Sequence, residues 1–129
     1  MVLHCHAAVV TISTPNLAKL SQFYSDLLGM GPHIYIEGVY AEFQLPGLQL
    51  GIFEPRGGDR QEFSSPGGAM SLCLQVCYLE KAIENLVELG YPPPGEIITA
   101  SHGREIYAYD PCGNRIILYE SQTNPKLDS

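Results

Sequence analysis

The stretch LAKLSQFYSDLLG, residues 17–29, carries the first clear structural signal in the chain. Leu17, Leu20, Tyr24, Leu27 and Leu28 recur at i, i+3, i+7, i+10 and i+11, which is one apolar stripe of a helix. Gly29 follows where a helix ends on left-handed backbone. The same pattern returns in LEKAIENLVELG, residues 79–90, with Leu79, Ala82, Ile83, Leu86 and Val87 on one stripe and Gly90 as the stop. Pro92 to Pro94 then forbid continuation. Leu17-Ala-Lys-Leu aligns with Leu79-Glu-Lys-Ala at an offset of 62 (79 − 17), and Leu28-Gly29 with Leu89-Gly90 at 61. The chain is an internal repeat.

Working outward, each helix follows a β-like run (4–13 and 70–77) and precedes three more: 32–37, 40–45 and 48–54 in the first half, 95–100, 104–110 and 114–121 in the second. The expectation is one α+β domain, 1–129, of two βαβββ modules. Module one covers about 4–55 and module two about 69–121. Between them, RGGDRQEFSSPGG (56–68) has the composition of a mobile connector, and 122–129 reads as a frayed tail. Asp110-Pro111-Cys112-Gly113-Asn114 is turn chemistry.

Composition narrows the function. A length of 129 residues suffices to bury roughly two-thirds of the unfolded surface in one core. Fourteen acidic against seven basic residues give a net charge of −7, which repels a phosphate backbone and argues against nucleic acid. No apolar run approaches the roughly 20 residues that cross a bilayer. MVLHCHAAVV lacks the basic start and cleavage site of a secretory signal, so a cytoplasmic location is expected, with Cys5, Cys73, Cys77 and Cys112 reduced. The Cys73–Cys77 spacing is not that of zinc or redox CxxC motifs.

Two βαβββ modules, FYSDLLG in the first helix, and Tyr109-Asp110-Pro111-Cys112-Gly113-Asn114 leading into Leu118-Tyr119-Glu120 resemble the vicinal oxygen chelate superfamily, over about residues 4 to 121. That superfamily includes glyoxalase I, extradiol dioxygenases, methylmalonyl-CoA epimerase and the bleomycin-resistance proteins. The resemblance implies that each module curls into an incomplete barrel around a shared cavity, often completed in a dimer. Its metalloenzymes take four ligands, usually His, Gln or Glu, from the first and last strand of each module.

Strand parity tests this independently. Ala8, Val10 and Ile12 share one face of the first strand, and Thr11 and Ser13 the other. The same alternation puts Leu72, Leu74 and Val76 beneath the second helix, opposite Ser71, Cys73, Gln75 and Cys77. Leu48, Leu50 and Ile52 pack on the first helix while Gln49, Gly51 and Phe53 face away; Arg115, Ile117 and Tyr119 do so in the last strand. Val10, Ile12, Leu50, Leu72, Leu74 and Leu118 are therefore expected to be nearly fully buried, and Thr11, Ser13, Phe53, Cys73 and Gln75 to border one hollow. Counted from the helices and the Asp-Pro turn, the positions matching the superfamily's ligands are Val9, Gly51, Ser71 and Ile117. Val, Gly and Ile offer no donor and Ser coordinates poorly, so no cofactor is expected. The alternative is one divalent metal on His6, Glu54 and Glu120, which places His6 out of register unless a bulge intervenes.

Arg104, Arg115, Tyr40, Glu42, Tyr107 and Tyr119 are the remaining polar candidates, while His33 and His102 flank turns. Arg104 matches a basic position common in the superfamily's second module, and an inward Arg115 would require a carboxylate or an anionic ligand. The resulting expectation is a protein that binds a small organic ligand in a metal-free cavity. Its alternative is a metal-dependent lyase, epimerase or dioxygenase with an irregular ligand set, and the reaction stays open. Open sheet edges favour a homodimer.

Overall fold

The computed structural model describes residues 2–64 and 68–123. The chain divides into two compact units, Met1–Ser65 and Pro66–Ser129. The first contains β1 (Val10–Ser13), α1 (Leu17–Leu28), β2 (Ile34–Ile36), β3 (Tyr40–Leu45), β4 (Leu48–Phe53) and a 3₁₀ helix, Gly57–Phe63. The second contains β5 (Leu72–Gln75), α2 (Leu79–Leu89), β6 (Ile98–Ala100), β7 (Gly103–Tyr109) and β8 (Arg115–Ser121). Each unit is a four-stranded mixed sheet with no closed barrel, ordered β1-β4-β3-β2 and β5-β8-β7-β6. The first strand of each is parallel to the last, and the rest are antiparallel.

The repeat seen in sequence is a repeat of pairing. Thr11 lies beside Gly51 and Cys73 beside Ile117, so offsets of 62 (73 − 11) and 66 (117 − 51) superpose the two ladders.

The inner strands carry the core. Leu50 and Ile52 of β4, Ala41 and Phe43 of β3, and Ile116 and Leu118 of β8 are buried. From α1, Leu17, Leu20, Phe23 and Tyr24 join them, Tyr24 lying 6.5 Å from Phe43 between ring centroids. Leu79 and Leu86 do the same from α2. The expectation for Val10, Ile12, Leu72 and Leu74 is corrected: all four are only half-buried, because β1 and β5 lie at the edge of their own sheets.

The extended start of β1 is also corrected. Val10 pairs with Leu50 and β4 begins at Leu48, so residues before Ala8 have no β4 partner to continue the ladder. The connector is less irregular than expected. Gly57–Phe63 winds as 3₁₀ helix, and Phe63 packs edge-on against Phe53 at 4.9 Å. The tail residues 124–129 lie outside the described residues.

Local chemistry sets both ends of α1. Asn16 accepts from the Lys19 N–H at 3.1 Å, and Gly29 closes α1 at φ 72°. The Asp110 turn is structural: its carboxylate accepts from the Cys112 and Asn114 amides and the Asn114 side chain at 2.8–3.0 Å.

Candidate functional site

The face of each sheet turned away from its helix holds the polar side chains not used for packing. In the first unit, β3 alternates Ala41, Phe43 and Leu45 toward α1 with Tyr40, Glu42 and Gln44 on the open face. Cross-strand pairing adds neighbours on that face: Glu42 lies opposite Ile34 and Gly51, and Tyr40 opposite Ile36 and Phe53. Thr11 and Ser13 of β1 complete it beside Gly51 and Phe53.

Two of these groups, Tyr40 and Glu42, form a chain with His33, the residue before β2. The Tyr40 hydroxyl donates to Glu42 Oε1 at 2.5 Å, and His33 Nε2 lies 2.8 Å from Glu42 Oε2. The Glu42 side chain is only 13% exposed and that of His33 36%. Burial, followed by the hydrogen bond and charge of Glu42, pushes the Tyr40 phenol up to about 12. Gly51 permits the arrangement, since a Cβ there would stand 2.6 Å from the Tyr40 hydroxyl oxygen.

Beyond the end of β1 lies a hollow of about 320 Å³, walled by Ser13, Thr14, Glu54, Pro55, Arg60 and Phe63. Its last two walls come from the segment expected to be unstructured. That is why composition alone did not reveal them.

In the second unit the open face carries Cys73 and Gln75 of β5, Arg115, Ile117 and Tyr119 of β8, and Glu105, Tyr107 and Tyr109 of β7. Partial desolvation and the Glu105 carboxylate raise the Cys73 thiol. Among the described residues Arg115 makes no ion pair with a carboxylate. Its two terminal nitrogens donate to Ser71 Oγ and the Gly68 carbonyl, both at 2.8 Å. Tyr119 donates to the His102 carbonyl at 3.0 Å. Arg104 lies off this face: it shares the parity of the buried Ile106 and Ala108 along β7 and so falls on the helix side. It is held there by Glu80 at 2.6 and 2.9 Å and Glu120 at 2.8 Å, which raise its affinity for its proton.

Do these residues suit a divalent ion? At the four matching positions, Val9 and Ser71 are exposed, Gly51 lies under Tyr40, and Ser71 Oγ accepts from Arg115. The donor chemistry does not fit. Of the alternative set, His6 lies in the exposed segment before β1. Glu54 Oε2 accepts from the Leu17 N–H, and Glu120 Oε2 from the Leu79 N–H, each at 2.9 Å. Among the described residues no three His, Cys, Asp or Glu side chains are grouped to hold an ion. Among them, too, no helix is long and apolar enough to cross a membrane.

Comparison with known proteins places the architecture. A family profile described as the Glyoxalase/Bleomycin resistance protein/Dioxygenase superfamily matches residues 6–118. No curated protein matches the sequence. Among solved structures, a glyoxalase-related enzyme from Fulvimarina pelagi is 20% identical with a TM-score of 0.74, covering 93% of this chain and 91% of its own. A glyoxalase/bleomycin resistance protein from Catenulispora acidiphila is 23% identical, with a TM-score of 0.65 and coverage of 88% and 96%. A lactoylglutathione lyase from Agrobacterium tumefaciens is 15% identical, with a TM-score of 0.67 and coverage of 92% and 96%. At these identities the likeness is one of fold.

Proposed function

The chain belongs to the Glyoxalase/Bleomycin resistance protein/Dioxygenase superfamily, and on that premise we propose that it binds a small organic molecule on the open faces of its sheets without a divalent metal. The observation that supports this most is Gly51. It stands at a position matching a superfamily ligand, offers no donor atom, and is covered by the Tyr40 ring. Val9, Ser71 and Ile117 complete a set from which an ion would gain little. The open faces mix tyrosines, Phe53 and Ile117 with Glu42, Gln75 and Arg115, as small-molecule sites mix an apolar wall with a few orienting polar groups.

We further propose a cytoplasmic homodimer. β1 and β5 each present an open edge in their own sheet, and such edges are ordinarily paired or covered.

Titration of the tag-free protein with zinc, nickel and ferrous ions, followed by calorimetry, tests the metal-free reading. Binding no tighter than about 1 μM, unchanged in His6→Ala, is the expected result. Sub-micromolar binding abolished by His6→Ala would install the metalloenzyme built on His6, Glu54 and Glu120 in its place. Sedimentation at tens of micromolar tests the dimer, and a monomer throughout would refute it.

A further inference from the structure

We propose that Tyr40, Glu42 and His33 form a proton-transfer site on the open face of the first sheet, with the Tyr40 hydroxyl meeting the substrate and Glu42 storing the proton. The inference rests on the small-molecule-binding reading and assigns that face a chemistry.

Packing does not require these groups. Ala41 and Phe43 face α1 and are fully buried, while Tyr40 and Glu42 point the other way. Yet the Glu42 carboxylate is largely withdrawn from water, and both its oxygens are engaged, by Tyr40 at 2.5 Å and His33 at 2.8 Å. Withdrawing a carboxylate is costly unless it is hydrogen-bonded, and this one is fully committed. With the Tyr40 proton aimed at Glu42, what its hydroxyl oxygen has left to offer is lone pairs. Phe53, Ile34 and Ile36 share the face beside it and supply an apolar floor. Gly51 completes the site by leaving room for the Tyr40 ring.

The matching substrate is a small, flat molecule with a weakly acidic C–H and no negative charge, since an anion would meet Glu42. Its proton passes to the Tyr40 oxygen as the proton of Tyr40 passes to Glu42 Oε1. The carbon keeps the bonding pair, Tyr40 remains a phenol, and Glu42 becomes a neutral acid. Because its phenol ionises only at about 12, Tyr40 relays the proton without holding charge at neutral pH. The reverse movement returns the proton to a second atom of the same molecule, so the net change is a proton shift that needs no oxidant or co-reactant. His33 is a positioning residue, orienting Glu42 by donation from Nε2.

The test uses 5-nitrobenzisoxazole, a planar uncharged carbon acid. When a base takes its ring C–H proton, the N–O bond breaks, a nitrile forms, and the electron pair ends on a coloured phenolate oxygen. Wild-type protein should turn it over saturably. Tyr40→Phe keeps the ring over Gly51 yet should lower kcat about 100-fold, as should Glu42→Gln, with KM within about twofold. His33→Gln should lose less and shift the acidic limb of the pH–rate profile. Glu84→Gln, on the exposed side of α2, should change nothing. Turnover in Tyr40→Phe equal to wild type would overturn the proposal, as would the absence of turnover. Broadening of the probe's proton NMR signals is followed in parallel. Broadening without turnover leaves the binding reading standing and removes this one; neither broadening nor turnover counts against both.

Discussion

The two helices begin on the same device and are secured by different means. In each unit a glutamate at the end of the last strand reaches the first helical amide: Glu54 to Leu17, Glu120 to Leu79, both at 2.9 Å. In the first unit that contact is added to a local cap, since Asn16 accepts from Lys19 and Thr14 Oγ1 from the Asn16 amide at 3.0 Å. In the second, the residue before the helix is Tyr78, whose side chain makes no capping bond. There Glu120 is itself braced by Arg104, which also grips Glu80 in the first turn. What differs is the source of the constraint. One helix end is secured by its adjoining loop residues, the other by side chains that only folding brings together. The second should therefore depend more on its sheet.

The largest test asks whether the two units are equivalent at all. Ile52 and Leu118 occupy matching buried positions, so Ile52→Ala and Leu118→Ala should each cost about 2–5 kcal/mol in urea unfolding. A loss below about 0.5 kcal/mol at either would mean that the ladders do not superpose as the repeat requires.

Next in size are the paired glutamates. Glu120→Ala should cost about 2–3 kcal/mol, because the hydrogen bond from the Leu79 N–H and a cationic partner are lost together, and Glu54→Ala about 1–2. Equal losses would break the contrast. Asn16→Ala should cost about 1 kcal/mol, and combined with Glu54→Ala it should cost more than the separate losses added, because each cap partly covers for the other. Simple additivity would show that the two caps act independently.

The smallest effect concerns the exposed pair. Hydrogen bonding to Arg104 holds the Glu80 carboxyl below its ordinary value of 4.5. Its contribution is therefore present above pH 4.5 and lost as the pH falls through the lowered value. Unfolding followed from pH 6 toward pH 2 should show a smaller acid-induced loss in Glu80→Gln than in wild type, and molar salt should narrow the gap. An unchanged acid limb would remove Glu80 from the brace.

Both helices, the repeat and the buried faces of the inner strands could be read from sequence, because apolar spacing and terminal glycines are local signals. Edge position is not local. Val10 and Leu74 look as buried as Leu50 until the strand order is known. Tyr40 and Glu42 could be named as candidates, but their link to His33 depends on the β2–β3 register, in which Ile34 faces Glu42. The 3₁₀ helix stayed hidden because its composition, with Gly57, Gly58 and a single aromatic, resembles that of a flexible connector, and Phe63 declares itself only against Phe53. Arg104 could be named as a basic position, but its place between Glu80 and Glu120 depends on the packing of α2 against the sheet.

The contact between Gly51 and Tyr40 also constrains the order in which this chain could acquire new chemistry. Any side chain placed at position 51 would collide with the tyrosine, so a liganding His or Glu introduced there first would meet a steric barrier before it could contribute a donor. Shrinking Tyr40 first would vacate the space and release Glu42 from its phenol partner, leaving a carboxylate on the same face. The two positions are thus coupled: a side chain at residue 51 requires the Tyr40 ring to move, and a smaller residue at 40 makes the room in advance.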